Sequence, residues 1–247
     1  MISRRKLIVS GFAGATGLGA AAALARRYNL IPPDRNNLFV AGETLTYATQ
    51  RLLTLHQPLA REFDRSRISN VFPVNGDPPE TEIYERHVAE NFQNWRLTVD
   101  GLVAHPFTFA LDDLKGLPSH SQITMHICEE GWSYIAEWTG VRLSYLLNLV
   151  GAQPQAKYVV FHPFDKNWDS LDMADALHPQ TLLAYAMNGD PLPTQHGAPM
   201  RLRVTRQIGY KSVKYLSRIT VTDTLKNIGN GLGSVSPDLG YSWYAGI

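Results

Sequence analysis

Gln122-Ile123-Thr124-Met125-His126-Ile127-Cys128-Glu129-Glu130-Gly131-Trp132 is the stretch on which the reading of this chain turns. Ile123, Met125 and Ile127 alternate with Gln122, Thr124 and His126, the period of a half-buried strand. The pattern stops at two acids and a glycine. Cys128, the single cysteine of 247 residues, therefore falls at a strand end that opens into a loop, where a rigid sheet presents side chains for chemistry.

The flanking sequence supplies more strands than helices. Trp95, Leu97 and Val99 alternate up to the turn at Gly101, and Phe107-Thr108-Phe109 continues the strand character. Leu111-Asp112-Asp113-Leu114 begins a short helix that Gly116 and Pro118 end. Leu143, Leu146, Leu147 and Val150 recur at helical spacing, with Gly151 as the stop. Tyr158 to Phe161 reads as a buried strand broken by His162-Pro163, and Ser170 to Met173 begins another element. Thr181 to Met187 is a short apolar segment closed by Asn188-Gly189-Asp190-Pro191. Met200 to Val204 and Leu216 to Val221 alternate as strands. The expected class is a sheet-rich α+β fold with a few short helices and no internal repeat.

The chain is long and apolar enough, at 44% hydrophobic, to bury a substantial core. A net charge of +1 gives no global field to draw nucleic acid or an acidic membrane. The first residues are more specific. Arg4-Arg5-Lys6 precedes an uncharged small-and-apolar run from Leu7 to Ala25, rich in glycine and alanine, and no acid occurs before Asp34. Paired arginines before such a run match a twin-arginine export signal over 1–25, read by the export machinery of that route. The other reading of the run is a retained membrane anchor. Export leads to the periplasm, with membrane association if the signal stays. Residues 26–80, rich in Pro, Asn and Arg, are expected as an extended arm, and 81–247 as the folded domain. A lone thiol in an oxidising compartment is a liability unless occupied, and folding before export suits proteins that take up a cofactor in the cytoplasm.

Two constellations carry chemistry. Most lone cysteines are small core hydrophobes, but a thiolate at the Cys128 loop also suits a soft metal or attack on an electrophile. His126 is its only close potential co-ligand, so a zinc or copper site lacks donors. A cysteine hydrolase would draw its base from His162, His178 or His196. In the second constellation, Arg201, Arg203, Arg206, Lys211, Lys214 and Arg218 occur with no acid among them, interleaved with Gly197 and Gly209. That run is either a solvated basic strand or an anion site in which loop N–H groups and cationic side chains hold a phosphate. No nucleotide-type glycine pattern is present. An exported, non-catalytic anion-binding protein is the reading from another class.

Cys128-Glu129-Glu130-Gly131-Trp132-Ser133, Trp138-Thr139-Gly140, Ala156-Lys157-Tyr158-Val159, His178-Pro179, Gly197-Ala198-Pro199-Met200-Arg201 and Gly209-Tyr210-Lys211-Ser212-Val213-Lys214 occur in a shared order and spacing. Through them, from Trp95 to Arg218, the chain resembles the sulfite oxidase-like molybdopterin-dependent oxidoreductases. That family includes the catalytic subunit of the periplasmic protein-methionine-sulfoxide reductase. The resemblance implies a molybdenum–molybdopterin cofactor whose metal is ligated by Cys128. It implies that Arg201 holds the pterin phosphate and that Ser212, Val213 and Lys214 form the loop around the pterin. His196 stands where the family usually has asparagine, and Pro163 where it can have a threonine that contacts the cofactor. Asn75, in Phe72-Pro73-Val74-Asn75-Gly76, is the expected pterin contact from the N-terminal side.

His126, Glu129, Trp132 and His162 are candidates to face the substrate. Sulfite oxidases surround their metal with arginines, whereas here two acids follow Cys128 and no arginine comes before Arg142. A neutral sulfoxide or similar small molecule fits that charge better than sulfite. The implied reaction is oxygen-atom transfer in either direction. Electrons would pass to or from a separate protein, a cytochrome or a membrane haem- or quinone-linked subunit, and the catalytic chain is expected as a monomer.

Overall fold

The computed structural model describes Leu30 and residues 40–53, 59–231 and 233–247. The segment read as an export signal lies outside the described residues. Contacts divide the chain into two compact units, Met1–His56 and Gln57–Ile247.

In the first unit α1 (Val40–Leu53) is a 14-residue helix within the stretch expected as an extended arm. Its sequence, VAGETLTYATQRLL, contains good helix formers and no proline, and Arg51 stands in the last turn where the helix dipole favours a cation. From residue 59 onward that stretch belongs to the second unit and is extended except for a 3-10 turn at Arg65–Arg67. Phe63 N donates to Ile123 O at 2.9 Å and Ser69 N to Ile135 O at 3.0 Å, so this segment is stitched to the edge of a sheet. It ends at α2 (Glu82–Ala89), a helix missed by periodicity but capped by Thr81, whose hydroxyl accepts from Tyr84 N.

Two five-stranded sheets follow. The first runs β2 (Phe107–Ala110), β1 (Arg96–Gly101), β10 (Leu216–Thr222), β5 (Tyr158–Pro163), β6 (Asp169–Asp172). All its pairings are antiparallel except β1 with β10. The second runs β3 (Ser119–Ile127), β4 (Ser133–Arg142), β7 (Leu182–Met187), β8 (Asp190–Pro191), with β9 (Arg201–Arg203) also paired to β7. The short helices α3 (Leu111–Lys115), α4 (Leu143–Leu149) and α5 (Met173–Ala176) connect the strands. This is the sheet-rich α+β class that the sequence indicates.

One expected break is absent. β5 continues through His162 and Pro163, which pair with Arg218 and Leu216 across a register shift. Proline is tolerated there because it closes the strand at an irregularity, where no ladder N–H is required. β4 also escapes the alternation rule. Tyr134, Ile135 and Ala136 are consecutively buried, the pattern of an interior strand covered on both faces.

The main core joins Trp95, Leu97 and Val99 of the first sheet's side to Leu143, Leu146 and Leu147 of α4 and to Leu183 and Leu202. A second cluster, Tyr134, Ala136, Trp138, Leu182 and Ala184, fills the other face of the second sheet. Between β4 and β7 the backbones approach so closely that a Cβ on Gly140 would lie 2.0 Å from Leu183 O. Glycine is therefore required at that position.

Candidate functional site

β3 and β4 form a hairpin whose loop begins with Cys128. Cys128 N donates to Trp132 O at 2.9 Å and Gly131 N to Cys128 O at 3.1 Å. Gly131, at φ 91°, supplies the left-handed residue that this tight loop needs. The thiol thus sits at the root of a rigid loop, with only 5% of the residue exposed. Asn75 Nδ2 lies 3.7 Å from Sγ, and Glu129 Oε2 3.4 Å. Asn75 Nδ2 also donates to Glu129 Oε1 at 2.9 Å, so the amide orients the acid beside the sulfur. Burial pushes the thiol pKa up and Glu129 adds to this, against the N–H of Glu130 and the Asn75 amide.

Cys128 lines a cleft of about 400 Å³. Asn75, His196, Arg201, Ser212, Val213 and Lys214 line the same cleft, so four separate chain segments converge on it. His126, Glu129 and Trp132 are there as well, whereas His162 and Pro163 on β5 are not among its walls. Sequence reasoning missed Tyr134, because β4 was not read as a strand. It also missed Val235, Ser236, Leu239 and Tyr241, which no periodic pattern marks. The glycines at 229, 231 and 233, all at positive φ, are the signal that the chain turns back there.

The basic run is not a solvated face except at Arg218, which is 56% exposed and paired with Asp100. Arg201 and Arg203 are buried, 4% and 1% exposed, and both guanidiniums stack over Trp138 at 5.2 and 5.5 Å. Arg201 Nη1 donates to His196 O and Nη2 to Ser212 O, each at 2.9 Å, which ties the loops on either side of β9 together. Arg203 Nη2 donates to Met125 O at 2.6 Å. Among the described residues neither guanidinium is paired with a carboxylate.

Lys214 Nζ donates to Asn75 O at 2.8 Å, Gln195 O at 3.2 Å and Gly76 O at 3.3 Å. It is the staple that carries Asn75 to the cleft. Burial, then Arg201, lowers its pKa to about 8. Burial, then Arg201 and Lys214, lowers that of His196 to about 4. His126 is held well below the usual imidazole range by burial and by Arg203 and Arg201, and its Nδ1 is buried without a hydrogen-bond partner. The imidazoles are neutral at pH 7, and the fixed positive charge is carried by the arginines and Lys214.

Such a site fits a large anionic group that brings its own metal ligands. Unbalanced buried cations cost several kcal/mol unless an anion meets them. Gly197 and Gly209 keep the walls open: a Cβ would lie 2.9 Å from Lys214 Cβ at the first and 3.0 Å from His126 Nε2 at the second. Among the described residues no three His, Cys, Asp or Glu side chains are grouped to hold a bare metal ion, so the protein offers one soft thiolate and the remaining donors must arrive with the metal. No imidazole is hydrogen-bonded to Cys128 among the described residues, as a cysteine nucleophile would require.

Comparison with known proteins agrees with this geometry. Residues 85–227 match the oxidoreductase molybdopterin binding domain. A protein of Azospira oryzae, described as a candidate protein-methionine-sulfoxide reductase subunit, is 41% identical over 188 residues, which is 76% of this chain and 68% of that protein. The protein-methionine-sulfoxide reductase catalytic subunit of Ralstonia nicotianae is 32% identical over 237 residues, 89% of this chain and 69% of that one. The sulfane dehydrogenase SoxCD of Paracoccus pantotrophus superposes with a TM-score of 0.51 at 28% identity, covering 53% of this chain and 39% of that one. With the matched domain spanning most of both sheets and containing Cys128 and the arginine-walled cleft, the chain belongs to the sulfite oxidase-like molybdopterin-dependent oxidoreductases.

Proposed function

We propose that this chain is an exported sulfoxide reductase, R₂SO + 2e⁻ + 2H⁺ → R₂S + H₂O, in which the Cys128 thiolate is the protein ligand to the molybdenum of a molybdopterin. The observation that carries this reading is the convergence of residue 75, residue 128, residues 196–201 and residues 212–214 on one cleft that contains the chain's only thiol. When bound, the cofactor supplies two-electron redox capacity and a place for the transferred oxygen.

The protein's own residues bind, orient and shield. Arg201 has given three of its N–H groups to the carbonyls of His196, Leu202 and Ser212, so the rest of the fork is left for the pterin phosphate. Ser212, Val213 and Lys214 form the wall along the pterin. His196, in place of the usual asparagine, offers a neutral ring nitrogen. Asn75 orients Glu129 at the sulfur, and Trp132, held by Glu130 at 2.9 Å and stacked on Tyr134 at 5.9 Å, forms an aromatic wall beside it.

The acids at the cleft favour a neutral substrate over sulfite. Glu129 and Glu130 line it directly after Cys128, and a small anion approaching the thiol would meet their charge. The Azospira oryzae and Ralstonia nicotianae relatives are both named for protein-methionine-sulfoxide reduction, which supports a sulfoxide. Electrons would come from a separate membrane haem- or quinone-linked subunit, and Arg4-Arg5 would direct the folded, loaded chain through the twin-arginine route. Among the described residues no helix is long and apolar enough to cross a membrane.

Protein purified from a host that makes the cofactor should contain about one molybdenum per chain and reduce dimethyl sulfoxide with a viologen donor. Cys128→Ser should retain its fold, as judged by circular dichroism, and lose the reaction with loss or altered ligation of the metal. A Cys128→Ser enzyme with full activity would remove the thiolate from the centre, and metal-free wild type that turns over would end the reading.

A further inference from the structure

One wall of the cleft lies outside the matched domain. Val235, Ser236, Leu239 and Tyr241 line it, although the family match ends at residue 227. Leu239 is 70% exposed and Tyr241 42%, and both line the cleft. Single exposed apolar residues are ordinary on a protein surface. These two differ because they share the cleft with Trp132, Pro73 and Val74, and because the segment that carries them is fixed.

The fixation is built from backbone and buried charge. Asp238 N donates to Val235 O at 3.1 Å, Gly240 N to Pro237 O and Tyr241 N to Ser236 O at 3.0 Å, which closes residues 235–241 into a tight turn. Gly240, at φ 85°, makes the reversal possible. Ser236 Oγ donates to Asp169 Oδ2 at 3.4 Å, and the Tyr241 ring lies 5.2 Å from that of Tyr210. Past the turn, Tyr210 Oη donates to Ser242 O at 2.5 Å and Trp243 Nε1 to Ser170 Oγ at 2.8 Å. The Trp243 ring covers the buried Lys211 amine at 5.0 Å. With the backbone of 235–241 held in this way, a ligand that covers the surface need order little beyond the Leu239 side chain.

Resting on the sulfoxide reading above, we propose that residues 235–241 form the specificity-determining wall of the cleft. In this assignment Leu239 and Tyr241 recognise an apolar group attached to, or adjoining, the sulfoxide sulfur. The chemistry recognised is the same whether that group belongs to a free aryl or long-alkyl sulfoxide or to an apolar neighbour of an oxidised methionine in a polypeptide. Dimethyl sulfoxide, which has no such group, would reach the reacting centre without using the wall.

The test is made on molybdenum-loaded enzyme with reducible and non-reducible probes. Methyl p-tolyl sulfone and dimethyl sulfone are not substrates for oxygen removal, so calorimetric Kd values report recognition alone. The wild type should bind the tolyl sulfone about tenfold more tightly than dimethyl sulfone, as burial of part of an aromatic ring implies. Leu239→Asp and Tyr241→Ser should each reduce that ratio severalfold, Leu239→Met should keep it, and molybdenum content should stay at the wild-type level in all three.

Steady-state KM for methyl p-tolyl sulfoxide should follow the same order. Peptides with methionine sulfoxide between leucines or between glycines separate the two sources: a leucine preference lost in Leu239→Asp assigns the wall to polypeptides, and its absence assigns it to free sulfoxides. A wild-type sulfone ratio near one, or a ratio unchanged in both Leu239→Asp and Tyr241→Ser, overturns the proposal. Failure to reduce any sulfoxide would instead overturn the reaction assigned above, while the sulfone ratios would still decide the role of the wall.

Discussion

At the scale of single residues, the site is governed by buried cations placed beside neutral imidazoles. Lys214 shows the consequence most directly. Its pKa in the folded, ligand-free chain is about 8 against an ordinary 10.5, because of burial and Arg201, with Asp165 and Asp77 opposing and His196 neutral. Below pH 8 the amine is charged in both folded and unfolded chains, and the folded state bears the cost. Between 8 and 10.5 the folded chain has released a proton that the unfolded chain still holds, so this group's contribution to stability rises with pH there. An anion in the cleft favours the charged amine and reverses that cost. Sulfate, a dianion at both pH values, should therefore raise the Tm of cofactor-free protein more at about pH 7 than at about pH 9.5, and Lys214→Met should abolish the difference. Equal shifts at both pH values would mean that Lys214 does not act on the anion.

At the scale of elements, the turn Gly209–Lys211 leads directly into the cleft residues Ser212, Val213 and Lys214 and is pinned from below. Lys211 Nζ lies 2.5 Å from Asp169 Oδ1 and donates to Ser170 O at 2.8 Å, with both side chains of the pair almost wholly buried. Burial raises the Asp169 pKa, and Lys211 opposes that. Lys211→Met should destabilise the protein by about 3–5 kcal/mol because it leaves an uncompensated buried carboxylate. The double variant Lys211→Met, Asp169→Leu should recover most of that loss, as read by urea unfolding; no recovery would show that the amine's packing under Trp243 matters more than the pair. Legibility in the sequence divided along the same line. β1, β3 and β10 alternate and were readable, whereas β4 is buried on both faces and was not, although Gly140 within it was visible as part of a motif. α1 fell in a stretch whose prolines and polar residues obscured its period, and α2, only eight residues long and just past that stretch, was missed even though Thr81 caps it.

At the scale of the whole molecule, export and cofactor loading make one joint prediction. Replacing Arg4 and Arg5 by Lys should hold molybdenum-loaded, active protein in the cytoplasm, detected by fractionation and metal analysis; normal periplasmic accumulation would point to another route. The sequence by itself determined the sheet-rich class, the family spacing from Trp95 to Arg218, the strand-end position of the lone thiol and the basic run after Arg201. Those features are local, because alternation, glycine placement and charge density act over a few residues. Only the tertiary structure decided that Asn75 reaches Cys128 through the Lys214 staple, that Arg201 and Arg203 are buried under Trp138, that β5 carries His162 away from the cleft walls, and that residues 235–241 close one side of it. These depend on contacts between segments far apart in the chain, which no local period encodes.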